Sequence, residues 1–235
     1  MISDIDLESS KIPIVEIFYS IQGEGKFIGH PSIFIRVGGC NLSCSAFSLK
    51  GCDSYYAVNK KYLNSWKMMS VSEIITEIEK YYLCDIVLTG GEPTLYYKKL
   101  YPIIEKFNNI TIETNTTIEI DFDKYPEYKK VTFAMGVKLS NSGDSYKKRI
   151  NKKAIKTIAS NAPKSFFKFV IDKDLNDEII DITKNLKNQI YCMPLGNNKK
   201  ELEKNAPFVF KFCLKYNYYY SDRIHIRLFS QKRGV

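Results

Sequence analysis

Two kinds of hydrophobic pattern alternate along this chain. Short, mostly apolar runs at residues 14–18, 32–37, 85–89, 110–114, 131–135, 166–171, 189–193 and 224–229 predict strands, and several are nearly continuous, as burial on both faces requires. Between them, stretches at 70–82, 95–107, 151–160, 175–186 and 199–214 carry apolar residues at every third or fourth position and predict helices. In the first of these Val71, Ile74, Ile75 and Ile78 make one apolar stripe, Ser70 suits the N-cap, and Glu73 completes a capping box. This alternation is the signature of parallel strands joined by crossover helices, so the predicted class is α/β. About six or seven such strands fall short of a closed eight-stranded barrel, which leaves a partial, open β/α barrel with its site at the carboxyl ends of the strands. Polar segments follow three of the strands: a cysteine-rich loop after 32–37, Gly90-Gly91-Glu92-Pro93 after 85–89, and Asn115 after 110–114.

Composition narrows the class without naming a function. With 235 residues, 44% of them apolar, and no repeat, low-complexity tract or linker, the chain reads as one domain spanning 1–235. No run approaches the roughly 18 to 20 apolar residues that cross a bilayer, and the first residues lack a basic segment followed by an apolar one. A cytoplasmic protein is therefore expected. The net charge of +9 would attract a nucleic acid, an acidic protein or an anionic small molecule. The lysines fall in scattered pairs, such as Lys60-Lys61 and Lys129-Lys130, so charge does not choose among these.

Six cysteines in a reducing compartment argue for metal over disulfides, because three of them crowd into one glycine-flanked loop. Cys40, Cys44 and Cys52 are spaced C-x3-C-x7-C after Gly38-Gly39. Three thiolates can hold three irons of a cubane cluster and leave the fourth open to a ligand. A zinc site with His30 as fourth ligand is the alternative reading of the same cysteines. Cys84, Cys192 and Cys213 stand among apolar neighbours and read as small buried hydrophobes.

The cysteine loop, the later Gly90-Gly91-Glu92-Pro93 and the partial-barrel pattern resemble the radical S-adenosylmethionine superfamily. That superfamily usually spaces its ligands C-x3-C-x2-C; here Phe47 stands at the third position, and a five-residue insertion carries the ligand to Cys52. Cys52-Asp53-Ser54-Tyr55 looks like the Cys-Asp-[Ser/Thr]-aromatic continuation of one family in particular, 7-carboxy-7-deazaguanine synthase. Phe18-Tyr19-Ser20-Ile21-Gln22-Gly23-Glu24-Gly25, then Gly29-x-Pro31, Phe34-Ile35-Arg36 and the closing Lys232-Arg233-Gly234-Val235, extend the resemblance over most of the chain.

The resemblance implies a radical SAM core that converts 6-carboxy-5,6,7,8-tetrahydropterin to 7-carboxy-7-deazaguanine with loss of ammonia, toward queuosine and other 7-deazapurines. It implies a [4Fe-4S] cluster on Cys40, Cys44 and Cys52, S-adenosylmethionine on the open iron, and a magnesium ion on Ser54. It assigns Ile21, Gln22, Gly23, Glu24, Arg36, Thr89, His225 and Val235 to the pterin. It assigns Gly51, Asp53, Gly91, Glu92, Gly136, Val137, Lys138, Ser140, Met193 and Pro194 to the cofactor. Read as residues alone, Gln22, Glu24 and Arg36 suit a flat heterocycle bearing a carboxylate, with a structural salt bridge as the alternative for Glu24 and Arg36. The cluster loop is then 38–55, and 224–235 becomes a tail that folds back over the substrate with its terminal carboxylate. Further expectations are a homodimer and an acidic electron donor such as flavodoxin or ferredoxin, without direct nucleic-acid binding. Two other readings remain open: a glycyl-radical activase within the superfamily, and a zinc-stabilised RNA-binding module outside it.

Overall fold

The computed structural model describes residues 8–47, 51–81 and 84–235, and within them the apolar runs assemble into a single nine-stranded sheet. Its strands are β1 (Lys11–Ile21), β2 (Pro31–Val37), β3 (Lys67–Ser70), β4 (Asp85–Gly90), β5 (Ile110–Thr114), β6 (Thr132–Met135), β7 (Phe166–Ile171), β8 (Ile190–Pro194) and β9 (Tyr219–Tyr220). They lie in the order β3-β1-β2-β4-β5-β6-β7-β8-β9. From β2 to β9 all neighbours are parallel; β1 is antiparallel to β2, and β3 to β1. Loop length explains the change of direction. Residues 22–30 between β1 and β2 hold only a 3-10 turn, Gly25–Phe27, whereas a parallel crossover needs about a dozen residues or more.

The helices are α1 (Tyr55–Val58), α2 (Val71–Glu79), α3 (Tyr97–Lys106), α4 (Tyr146–Arg149), α5 (Lys152–Asn161), α6 (Asn176–Thr183), α7 (Lys199–Tyr216) and α8 (Ile224–Phe229). The capping box at the start of α2 is formed: Glu73 N–H donates to Ser70 Oγ at 3.2 Å, and Ser70 N–H donates to Glu73 Oε2 at 2.7 Å. Asn151 and Asn198 cap α5 and α7 by accepting from Ala154 N–H and Glu201 N–H. Position 82, the expected end of α2, lies outside the described residues.

Side chains alternate across the sheet with period two, and this decides which of them meet helices. Ile33, Ile35, Leu88, Ile112, Phe167 and Phe169 are fully or almost fully buried in one core with Ile74 of α2, Ile103 of α3 and Ile158 of α5. The intervening residues Phe34, Arg36, Thr89, Glu113, Lys168 and Val170 face the other side and line a cavity. The sheet curls around that cavity without closing. Glu24, just past β1, reaches Lys168 of β7 at 3.0 Å, although five strand spacings separate β1 from β7, about 24 Å in a flat sheet.

One predicted element is corrected. Residues 224–229 form helix α8, not a strand. Their apolar-polar alternation imitates a half-buried strand, but the edge of β8 is already occupied by β9. The segment instead satisfies its backbone internally, with Arg227 N–H donating to Arg223 O and Ser230 N–H to Ile226 O. β3 and β9 were not predicted; each is too short to show an alternation. Among the described residues no helix is long and apolar enough to cross a membrane.

Candidate active site

The carboxyl ends of β2 and β4 lie side by side, and both run into glycines. Gly91 N–H donates to Val37 O at 2.9 Å and Glu92 N–H to Gly39 O at 2.8 Å. A methyl group on Gly91 would sit 1.9 Å from the Gly39 carbonyl oxygen, so this backbone contact tolerates no side chain. It carries the chain after β2 sharply off the sheet and delivers Cys40 to the mouth of a cavity of about 270 Å³.

Cys40, Cys44 and Cys52 all open into that cavity. The two neighbouring thiols act on each other: Cys52 holds Cys44 below the usual thiol value, and Cys44 together with burial lifts Cys52 well above it. Burial pushes Cys40 up to about 11. Three thiols so placed will not all ionise unaided; iron supplies the charge that lets them, and metal binding then expels the protons. Two neighbours favour anionic sulfur: Asn115 Nδ2 points at Cys40 Sγ from 3.8 Å, and Lys138 lowers the values of both Cys40 and Cys44. Three cysteines of one loop opening on one cavity are the donor set of a cubane with one open iron, which spreads its thiolates over separate irons. The residues present fit a cluster.

The floor of the cavity is a buried charge network. Glu24 Oε1 accepts from Arg223 Nε at 2.7 Å and Oε2 from Lys168 Nζ at 3.0 Å. Lys168 Nζ also donates to Glu113 Oε1 at 3.0 Å, and Thr89 Oγ1 to Glu113 Oε2 at 2.7 Å. Gln22 joins by accepting from Glu24 N–H at 3.1 Å. Burial works to raise the Glu24 carboxyl, but Arg223, Lys168 and His225 outweigh it and hold Glu24 well below the usual carboxylate range. Asp53, beside Cys52, is likewise held down to about 2, burial opposing and the Arg223 guanidinium at 2.5 Å prevailing. Its side chain remains 44% exposed, so solvent screens that pair more than the Glu24 pair.

The rim carries a second cluster. Arg36 donates to Glu16 Oε1 at 2.8 Å and to Ser54 Oγ at 3.0 Å, and Tyr56 OH donates to the same Glu16 oxygen at 3.1 Å. Burial pushes the Tyr56 hydroxyl up to about 12. From the tail, Arg233 lies 3.7 Å from Glu16 Oε2 and stacks 3.9 Å above the Tyr56 ring. Phe18 and Phe34, stacked at 5.0 Å, form an apolar wall. The tail is docked at its root: Ile224 N–H donates to Gly23 O at 3.0 Å, and the His225 ring occupies the space a Gly23 side chain would need. Burial holds His225 below the usual histidine value, with Glu24 opposing. Residues 230–235 complete the lining.

The structure brings most of the singled-out residues to this cavity, namely Cys40, Cys44, Cys52, Ile21, Gln22, Gly23, Glu24, Arg36, Asp53, Ser54, Thr89, Gly91, Gly136, Lys138, Met193, His225 and Val235. It does not bring Gly51, Glu92, Val137, Ser140 or Pro194 into the lining. Glu92 is fully buried and accepts from Thr94 N–H, Thr94 Oγ1, Thr114 Oγ1 and Asn115 N–H, so its carboxylate ties the loops after β4 and β5 together. Ser140 is turned to Glu178, which accepts from both its N–H and its hydroxyl. Val137 is buried in the core. His225 sits on α8 and not on a strand. His30 pairs with Asp85 at 2.9 Å at the amino end of β2, about 20 Å along the strand from the cysteines, so a zinc site joining it to them is not built.

Sequence reading passed over Lys168, Arg223, Glu113, Glu16 and Tyr56. The signal for two of them was present: Phe166-Phe167-Lys168-Phe169-Val170-Ile171 and Ile110-Thr111-Ile112-Glu113-Thr114 each place one charge inside an apolar strand. Such a charge is rarely buried without a partner.

Residues 21–130 match the sequence family of the 4Fe-4S single cluster domain. The chain is 30% identical to the 7-carboxy-7-deazaguanine synthase of Rhodopirellula baltica, over 99% of this chain and 92% of that one. It is 32% identical to the enzyme of the same name from Buchnera aphidicola, over 91% of this chain and 96% of that one. The fold is similar to the crystal structure of QueE from Escherichia coli, with a TM-score of 0.68, 22% identity, and coverage of 92% of this chain and 95% of that one.

Proposed function

We infer the chemistry of this cavity from one premise: the chain belongs to the 7-carboxy-7-deazaguanine synthase family. It is a radical SAM enzyme of the queuosine pathway that contracts the ring of 6-carboxy-5,6,7,8-tetrahydropterin to 7-carboxy-7-deazaguanine with loss of ammonia. The observation that carries the reading is a single cavity holding three cysteines of one loop, an ionised carboxylate floor and an arginine-rich rim. Cys40, Cys44 and Cys52 would hold the cluster, which, when bound, supplies the electron that splits S-adenosylmethionine and so starts the rearrangement.

The chain's own residues do the rest. Glu24, kept charged by Arg223 and Lys168, and Glu113, paired with Lys168, accept hydrogen bonds from the ring N–H groups and exocyclic amine of a pterin. Arg36 faces the substrate carboxylate, and Phe18 with Phe34 covers the ring system. His225 and the tail close the mouth and exclude water. Gly91, Gly136, Lys138 and Met193 line the same cavity as the cysteines, Gly91 against the Cys40 backbone, and this supports their contact with S-adenosylmethionine.

Magnesium is the finer proposal. Ser54 Oγ spends one lone pair on Arg36 and keeps the second for an ion, beside the place of the substrate carboxylate. One hydroxyl, a carboxylate and waters make the oxygen set magnesium takes. The net charge of +9 would steer an acidic electron donor to the chain, which would pair with a second copy as a homodimer.

The test is anaerobic reconstitution with iron and sulfide, then incubation with S-adenosylmethionine, magnesium and the carboxytetrahydropterin. Mass analysis should find 7-carboxy-7-deazaguanine and 5'-deoxyadenosine together. Deoxyadenosine formed only with a glycyl-radical protein, and unaffected by the pterin, would move the chain to the activase reading.

A further inference from the structure

The cysteine spacing of this chain raises a mechanical question: what fixes the register of a ligand loop five residues longer than the usual C-x3-C-x2-C. On the cavity side the loop contributes Cys44 and Phe47 to the lining, while Ser45 and Ala46 are not part of it. The other side of the loop meets the chain that follows β6.

Asp144 accepts from Cys44 N–H at 2.8 Å, from Ser43 N–H at 3.2 Å and from Ser43 Oγ at 3.0 Å. Two residues earlier, Ser142 O accepts from Ala46 N–H at 3.1 Å. Between them Gly143 has φ +83, and a methyl group there would lie 2.9 Å from Ser45 Oγ and 3.0 Å from Ala46 Cβ. Four consecutive loop residues thus rest on three consecutive residues of another loop, with a glycine where the two backbones come closest. The need for such a support is visible in Cys44 itself, whose φ of 47 lies in the left-handed region that a side chain disfavours. An amide held by a carboxylate on the far side keeps it there.

We propose that residues 142–144 are the dock that registers the widened cysteine loop, with Asp144 the residue that positions Cys44. The proposal rests on reading Cys44 as a cluster ligand. Asp144 touches neither cluster nor substrate and acts through the Cys44 backbone. It also places a negative charge behind one ligand sulfur. An isosteric neutral side chain should therefore keep part of the positioning while making the cluster easier to reduce.

Wild type, Asp144→Asn and Asp144→Ala are to be reconstituted anaerobically with iron and sulfide, and read by iron content, by electron paramagnetic resonance of the reduced cluster and by potentiometric titration. Thermal unfolding of each apo protein is measured alongside. We expect Asp144→Ala to unfold as wild type does but to hold severalfold less iron and to lose it faster to a chelator. Asp144→Asn should load nearer to wild type, with a midpoint potential shifted positive and altered g-values. Both variants loading fully with unchanged potential and spectrum would overturn the dock while leaving the cluster reading intact. A wild-type chain that takes up no cluster would remove the underlying reading, and the dock with it.

Discussion

Replacing Lys168 by Met tests whether the cavity floor hangs on one ammonium shared between two carboxylates. Lys168 Nζ lies 3.0 Å from Glu24 Oε2 and 3.0 Å from Glu113 Oε1, and its side chain is only 9% exposed. Met keeps the length and apolar body of lysine and removes the charge. Deleting one partner of a buried ion pair costs about 3–5 kcal/mol, because the other partner is left uncompensated in low dielectric. The low end applies here, since Glu24 keeps Arg223 at 2.7 Å and Glu113 keeps Thr89 at 2.7 Å. For a chain of this size about 3 kcal/mol lowers Tm by roughly 6–12 °C, measurable on the apo protein by circular dichroism. The pH dependence has a definite sign. A carboxyl held below its ordinary value adds stability above the ordinary range and loses it as pH falls through the folded value. Lys168 is among the groups that hold Glu24 down, so the gap between wild type and Lys168→Met should be widest near neutral pH and narrow on acidification. Adding Glu113→Gln to the variant should restore part of the loss by neutralising the orphaned carboxylate. A drop below about 2 °C, or a double variant melting no higher than the single one, refutes the shared-ammonium argument.

Other expectations follow from single contacts. Burial holds His225 below the usual histidine value, so protonation opposes folding as pH falls from 7 to 5; His225→Gln should flatten that part of the Tm–pH curve. Gly23→Ala and Gly91→Ala both insert a methyl into occupied space, but the first meets the His225 side chain at 2.2 Å and the second the Gly39 carbonyl at 1.9 Å. The first should raise KM with little change in Tm, and the second should lower Tm and abolish cluster loading. Arg233→Ala removes a guanidinium stacked 3.9 Å from Tyr56; KM should rise about 5- to 10-fold, equivalent to about 1 kcal/mol, with kcat changed less than twofold. Ser54→Ala should remove any activation by magnesium at constant S-adenosylmethionine; activation equal to wild type would take the ion away from Ser54.

The fold was legible wherever one local pattern decided the outcome. Residues 110–114 and 166–171 are strands with the predicted limits because their apolar runs are bounded by turn formers and buried on both faces. Direction was less legible: β1 looks like any other strand, and only the short 22–30 connection makes it antiparallel. The error at 224–229 has the same origin, since Ile224, Ile226 and Leu228 alternate as a strand would, yet only Ile226 is buried. Of the residues lining the cavity, those within motifs were mostly singled out in the sequence, and those brought there from far along the chain were not. Lys168 and Arg223 lie 144 and 199 positions from Glu24, and no spacing rule links charges so far apart. Glu92 shows the converse: a motif residue whose carboxylate is consumed by four hydrogen bonds within the protein.

Arg223 explains why the tail and the cysteine loop cannot be treated as separate devices. Its guanidinium donates to Glu24 of the loop after β1, to Asp53 beside the third cysteine, and to the carbonyl of Gly196 after β8. The next residue, Ile224, donates to Gly23. One buried cation therefore joins the floor of the cavity, the far end of the cysteine loop and the root of the tail. Moving any of the three strands an ionised group away from its partner, which in a buried site costs more than the motion of a surface loop would. A displaced tail would release Arg223 from Glu24 and Asp53 together, and both carboxyls would then rise toward their ordinary values. The floor would then lose part of its fixed negative charge, so the docking of the tail and the ionisation of Glu24 and Asp53 are one event.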